Sequence, residues 1–279
     1  MRDRSVAQNA QLALLLEVSG TPKPGNVDRE REYEDLRFEH FMAGAVGARL
    51  GLDRAAAGDP LGAAFEAAVE GMADQSGGNT QFGALLTLTP LVAAGSDGRL
   101  SPSGVDAVVN DTTVDDAAAF YRAFEHVDVA VDDPPDGLEP LDVRRGRDAI
   151  PELRARDMSL FDVMSSSADV DGVAAEWVSG FERVFEASEW LLDGSGTVTD
   201  RASDVFIELL AAEPDTFIVT RQDRATAEEV QRRAQAVLDG AETATDLAEE
   251  FVERDINPGT TADLVAGALF VALERGLEV

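Results

Sequence analysis

The sequence has no cysteine, which excludes disulfides and thiolate metal sites. Aromatic residues make up only 6% of it against 44% hydrophobic residues in all, so the apolar content rests on Ala, Leu and Val and favours helices. Strand-like pieces, Val127 to Val131 and Thr216 to Thr220, are too few and too scattered for a sheet. No apolar run reaches the ~18 residues of a bilayer span, and no signal-peptide core is present. The expectation is a soluble, cytoplasmic protein without a membrane partner. Positive charge is scarce too: 23 Lys and Arg face 54 Asp and Glu, a net charge of −31. A chain this acidic lacks the basic footprint that nucleic acid requires. At ~1 M salt the Debye length falls to about 3 Å and screens such self-repulsion, so the composition reads as adaptation to a salty, halophilic cytoplasm.

What is present is helical. Among 279 residues, apolar positions recur at helical spacing from Val6 to Val18, from Phe38 to Leu50 and from Phe65 to Met72. From Phe82 to Leu91 they cover nearly every side, as in a buried central helix. Ser101-Pro102 reads as a cap followed by proline at the first helical position. Between Val127 and Asp148 no helical period is sustained, and Asp132-Asp133-Pro134-Pro135-Asp136-Gly137 reads as loop. The pattern resumes at Ile150 and is clearest from Val173 to Leu192. Helices are expected again over 200–212, 225–238, 243–253 and 261–274. With no internal repeat and no linker, the reading is one all-α domain over 1–279, a multi-helix orthogonal bundle carrying a long acidic, proline-rich loop at about 127–148.

Three segments depart from this helix-and-turn grammar. The first is Pro22-Lys23-Pro24-Gly25-Asn26-Val27-Asp28-Arg29, which holds the only lysine of the chain between two prolines that stiffen the backbone. An ammonium is a compact point charge where a guanidinium is a planar fork, so a lone lysine on a rigid turn suggests a phosphate contact. The second is Gly77-Gly78-Asn79-Thr80-Gln81-Phe82-Gly83. Its glycines precede a helix whose first N–H groups would suit an anion, although Asn79 or Thr80 could equally serve as a cap. The third is Asn257-Pro258-Gly259-Thr260-Thr261-Ala262-Asp263-Leu264, in which Thr260 and Asp263 have the spacing of a capping box. Together they suggest three polar helix starts converging on one pocket. The arginine cluster Arg144, Arg145, Arg147, with Arg154 and Arg156 beyond, reads as surface ion pairs ahead of a lid that offers arginines to a polyanion.

In order and wording these segments resemble the triphosphoribosyl-dephospho-coenzyme A synthases, which make the prosthetic-group precursor of citrate lyase and malonate decarboxylase. The likeness rests on Pro22 to Arg29, Gly77 to Gly83 and Pro258 to Leu264, and spans the chain from Glu17 to Phe270. It implies a transferase that moves the triphosphoribosyl group of ATP to the ribose 2′-hydroxyl of 3′-dephospho-CoA, or a related acceptor, and releases adenine. Such a displacement needs stabilisation of an oxocarbenium-like centre, a base near the attacking hydroxyl and a proton for the purine. In that chemistry Asp28 and Asp263 become the expected catalytic carboxylates and the ligands of a Mg²⁺ shared with substrate phosphates. Lys23, Asn26, Arg29, Asn79, Thr80, Gln81, Thr260 and Thr261 become the expected substrate and phosphate contacts. Gln81 stands where better-known members carry His, and an amide cannot act as a general acid near neutral pH. Of the two histidines, His126 has no motif and His40 reads as a capping or surface residue. An N-ribosyl glycohydrolase and a non-catalytic helical nucleotide-binding protein would use the same helix starts, and the reading leaves room for a homodimer.

Overall fold

The computed structural model describes residues 4–134 and 137–279, and every regular element among them is helical. The order is α1 (Val6–Ser19), α2 (Phe38–Gly47), α3 (Arg49–Ala56), α4 (Leu61–Met72), α5 (Phe82–Ser96), α6 (Pro102–Asn110) and α7 (Val114–Ala123). Then come α8 (Ile150–Arg156), α9 (Leu160–Ser167), α10 (Gly172–Ser179), α11 (Glu182–Asp193) and α12 (Val198–Ala212). The chain closes with α13 (Thr216–Arg221), α14 (Arg224–Leu238), α15 (Ala244–Glu253) and α16 (Gly259–Glu274). Short 3-10 turns at Glu139–Leu141 and Val143–Ala149 end the long connection after α7. The all-α, multi-helix architecture expected from the periodicity is what the chain adopts. No helix of the described residues is long and apolar enough to cross a membrane.

Two central helices organise the rest. α5 packs against α16, α3, α4 and α1, while α16 also packs against α1 and α11. Both are buried on almost every side, as a helix without a polar face must be. Pro90 sits inside α5, where it deprives the carbonyl four residues earlier of its amide partner. That carbonyl belongs to Leu86, and the indole Nε1 of Trp177 donates to it at 3.2 Å. The proline is thus tolerated because a buried tryptophan satisfies the orphaned acceptor and joins α10 to α5. On the other side, a Cβ at Gly47 would overlap the carbonyl of Gly71, so α2 and α4 cross backbone to backbone. This crossing brings α2 against the loop that opens α5.

Three expectations of the sequence reading need correction. The apolar stripe from Val173 to Leu192 suggests one continuous helix, but α10 and α11 are separate. Gly180 and Phe181 both adopt left-handed backbone (φ 73° and 64°), and Phe181 is fully buried. The fresh start of α11 is held by Glu176, whose carboxylate accepts from Val184 N at 3.1 Å and Arg183 Nε at 2.7 Å. Residues 216–220 look strand-like because Thr, Phe, Ile and Val favour strands, yet they form α13. The Asp215 side chain accepts from Ile218 N at 3.1 Å, and that cap outweighs the weak strand propensity. The stripe from Phe38 to Leu50 is interrupted at Ala48, between α2 and α3. Pro135 and Asp136 of the expected loop lie outside the described residues.

Candidate active site

The loop between α1 and α2 is built around two buried charges. Lys23 has no exposed surface; its ammonium pairs with Glu17 of α1, donates to Asn26 Oδ1 at 2.9 Å and lies 5.8 Å from the ring centroid of Phe206. Asp28, 1% exposed, accepts from Thr21 Oγ1 (2.8 Å), Lys23 N (3.1 Å), Glu30 N (2.8 Å) and Arg31 N (2.9 Å). Asn26 in turn donates through Nδ2 to Asn257 Oδ1 at 2.9 Å, and the Tyr33 hydroxyl donates to Gly25 O at 2.5 Å. These bonds pin the first motif to the third. The spacing of Glu17 and Lys23 therefore encodes an internal ion pair that braces the loop.

The second and third motifs start the two central helices side by side. Asn79 Oδ1 accepts from Phe82 N at 3.0 Å, which caps α5. Thr80 and Gln81 are packed beside Gly44 of α2, and the Thr80 hydroxyl and both amide atoms of Gln81 have no partner among the described residues. At the start of α16, the expected Thr260–Asp263 capping box does not form. Instead Asp215 Oδ2 accepts from both the amide and the hydroxyl of Thr261, each at 2.7 Å, while the Thr260 and Thr216 hydroxyls meet at 2.9 Å. This frees Asp263 to lean across to the first turn of α5, where a Cβ on Gly83 would overlap its Oδ2. Glycine at 83 is required by this close approach. In Gly83→Ala the Asp263 carboxylate is displaced, and turnover should fall at least tenfold while circular dichroism and melting temperature change little.

All three motifs line one cavity of about 280 Å³. Of the residues singled out from sequence, Asn26, Asn79, Thr80, Gln81, Thr260 and Asp263 reach its wall. Lys23, Asp28, Arg29 and Thr261 are not among its lining residues; the first two brace the loop, Arg29 is solvent-exposed and Thr261 is held by Asp215. Residues the sequence reading missed also line it: Glu17, Asp171, Thr216 and Asn257. Glu17 carried a signal, since it is the only charged side chain within α1. His40 accepts from Arg37 N at 3.1 Å through Nδ1 and packs against Gly77, so it caps α2 as expected. Most of the arginine cluster is spent on ion pairs: Arg144 with Asp133 (2.8 Å) and Asp142, Arg147 with Glu125, Arg156 with Glu152 (2.7 Å), while Arg145 donates to Pro140 O at 2.6 Å.

The electrostatics of this wall are one-sided. Glu17, Asp132, Asp133, Asp142, Asp171 and Asp263 line it, and among the described residues no arginine or lysine does. Burial raises Asp263 well above the usual carboxylate range, and the charges of Glu17, Asp215 and Asp171 push the same way, opposed by the Ala84 N–H at the start of α5. Burial also raises Glu17, against the downward pull of Lys23. The Glu17 carboxylate makes no hydrogen bond other than that to Lys23 among the described residues, which leaves one of its oxygens available to a ligand. Two carboxylates on neighbouring helices thus face one cavity over the N-terminus of a third helix.

Fold and site together define an all-helical transferase. The chain belongs to the CitG family, ATP:dephospho-CoA triphosphoribosyl transferase, whose pattern matches residues 3–278. Among solved structures it is similar to a triphosphoribosyl-dephospho-CoA synthase from Archaeoglobus fulgidus, with 25% identity and a TM-score of 0.68 over 84% of this chain and 99% of that one. None of the curated proteins matches it.

Proposed function

We propose that this protein transfers the 5-triphosphoribosyl group of ATP to the ribose 2′-hydroxyl of 3′-dephospho-CoA. The observation that carries the reading is the meeting of Glu17 and Asp263 at a cavity walled by all three family-like motifs. In the reaction the C1′–N9 bond of ATP breaks with its electron pair leaving on adenine. A bond forms from the acceptor O2′ to C1′, and the hydroxyl proton ends on the purine. Glu17, paired with the Lys23 ammonium, accepts the hydroxyl proton. Asp263 lies beside the ribose, where the positive charge that develops favours the ionised carboxylate against the burial and acidic neighbours that oppose it. Hydroxyls of Thr80 and Thr260 and the amides of Asn26 and Asn79 orient the nucleotide.

The carboxylates also fit a Mg²⁺. No cluster of three acidic or histidine ligands occurs among the described residues, as is usual for an ion that takes one or two carboxylates and completes its shell with phosphates and water. Asp28 is fully engaged by its loop, so Asp263 and the nearby Asp171 would hold the ion. Bound there, it would neutralise triphosphate charge that no cationic side chain of the cavity wall offsets.

The test is adenine release from ATP in ~2 M KCl with Mg²⁺, where screening suppresses the self-repulsion of the acidic chain. Adenine that appears only when dephospho-CoA is present, together with an adduct of the expected mass, supports transfer. Adenine without acceptor points to a glycohydrolase. None from folded protein would overturn the reading and leave a nucleotide-binding protein, the salty cytoplasm remaining the expected setting.

A further inference from the structure

The cavity has a polar end, where the three motifs meet, and an apolar end walled by Leu86, Tyr121, Leu141, Met158, Met164 and Val173. At the apolar end the Tyr121 hydroxyl is committed to Leu141 O at 2.5 Å, and Ser167, close to Met164 on α9, also lines the cavity. Along it runs a stretch of chain with an unusual property. Residues 128–133 belong to no helix, and among the described residues their backbone N–H and C=O groups enter no hydrogen bond to backbone or side chain. Five consecutive residues of this stretch, Val129 to Asp133, line the cavity.

The stretch is nevertheless anchored. Val127 before it is packed into the core. Asp132 accepts from Thr220 Oγ1 of α13 at 2.8 Å, and Asp133 is paired with Arg144 at 2.8 Å. Open peptide groups on an anchored, irregular segment are the feature that recruits an extended peptide-like ligand, because pairing costs little further ordering.

Resting on the transferase reading above, we propose that residues 128–133 bind the pantetheine arm of the acceptor, their free peptide groups pairing with its two amides while its apolar carbons lie against the Met158–Met164 wall. A purine presents one short edge, whereas a run of successive peptide groups along the cavity wall matches a long arm with spaced amides. Methionine side chains adapt to such a flexible chain.

The experiment compares dephospho-CoA with ADP, the same molecule without the arm, by calorimetry in ~2 M KCl, and records the adduct mass from each. Two variants, Ala130→Pro and Val131→Pro, each remove one N–H from a segment that already lacks helical hydrogen bonds. An arm with two amides cannot pair with every peptide group of the segment. The proposal expects dephospho-CoA to bind at least tenfold tighter than ADP. It also expects one proline variant, not its neighbour, to lose about tenfold for dephospho-CoA, with ADP affinity and melting temperature unchanged. Equal binding of the two ligands overturns the arm site, as does a loss shared by both ligands or by both or neither of the variants. If the arm preference holds and no adduct forms, the transferase reading fails while the binding site stands.

Discussion

Asp263→Asn should abolish most turnover and leave the protein at least as stable as before. Asp263 is the one acid on α16 before its last residue, Glu274, and from Thr260 to Leu273 every other residue is buried. Its carboxylate sits within the influence of Glu17, Asp215 and Asp171, all of which oppose its ionisation. A structural acid would be tied to a cation or a set of donors, as Asp28 and Asp215 are. Asparagine has the same shape, so the approach to Gly83 is preserved, and it removes a charge whose burial is unfavourable. Loss of a carboxylate that acts on the reacting centre costs about 10³-fold in rate, the middle of the range for such groups. Steady-state kinetics beside thermal melts in the same high-salt buffer provide the check. Turnover within tenfold of wild type would remove Asp263 from the chemistry, and a lower melting temperature would show the carboxylate to be structural.

Lys23→Met should destabilise the fold by about 3–5 kcal/mol, the usual cost of stripping a buried charge of its partner. The ammonium has no exposed surface, and without it Glu17 would remain buried near the charge of Asp28 with no counter-charge of its own. The paired variant Glu17→Gln with Lys23→Met should recover most of that stability, because an amide tolerates the site without a counter-charge. Activity should not return, since Glu17 also faces the cavity. Chemical denaturation of the two variants separates the roles. Lys23→Arg is expected to fare little better than methionine: a planar fork does not fit between Glu17, Asn26 and the Phe206 ring, where a compact ammonium does.

The sequence showed more of the fold than of the site. Central helices without a polar face, caps at Ser101-Pro102 and starts after paired glycines are local patterns, and each appears in the structure. The break at Gly180–Phe181 was hidden because two helices meeting end to end keep their apolar residues in a plausible single stripe. α13 was hidden because its cap, Asp215, also binds Thr261, 46 residues further on. The motifs were visible as departures from pattern, but sequence cannot say which polar side chain faces outward into a cavity and which faces inward to brace a loop. Lys23 and Asp28 have the composition of contacts and the geometry of braces. Glu17, which looks like an ordinary acid near the end of a helix, supplies the open carboxylate. Arg144 and Arg147 were legible as ion pairs because acids outnumber bases so heavily along the whole chain.

The burial of Lys23 also sets how this molecule meets amine chemistry. With one lysine in the entire chain and that one sealed inside, the folded protein offers reagents no primary amine beyond its terminal one. Acylating labels, amine cross-linkers and enzymes that acetylate or ubiquitinate lysine find no lysine to modify until the α1–α2 loop opens. A mass shift at Lys23 would therefore count the molecules that have unfolded, a conformational clock that the sequence carries at a single position.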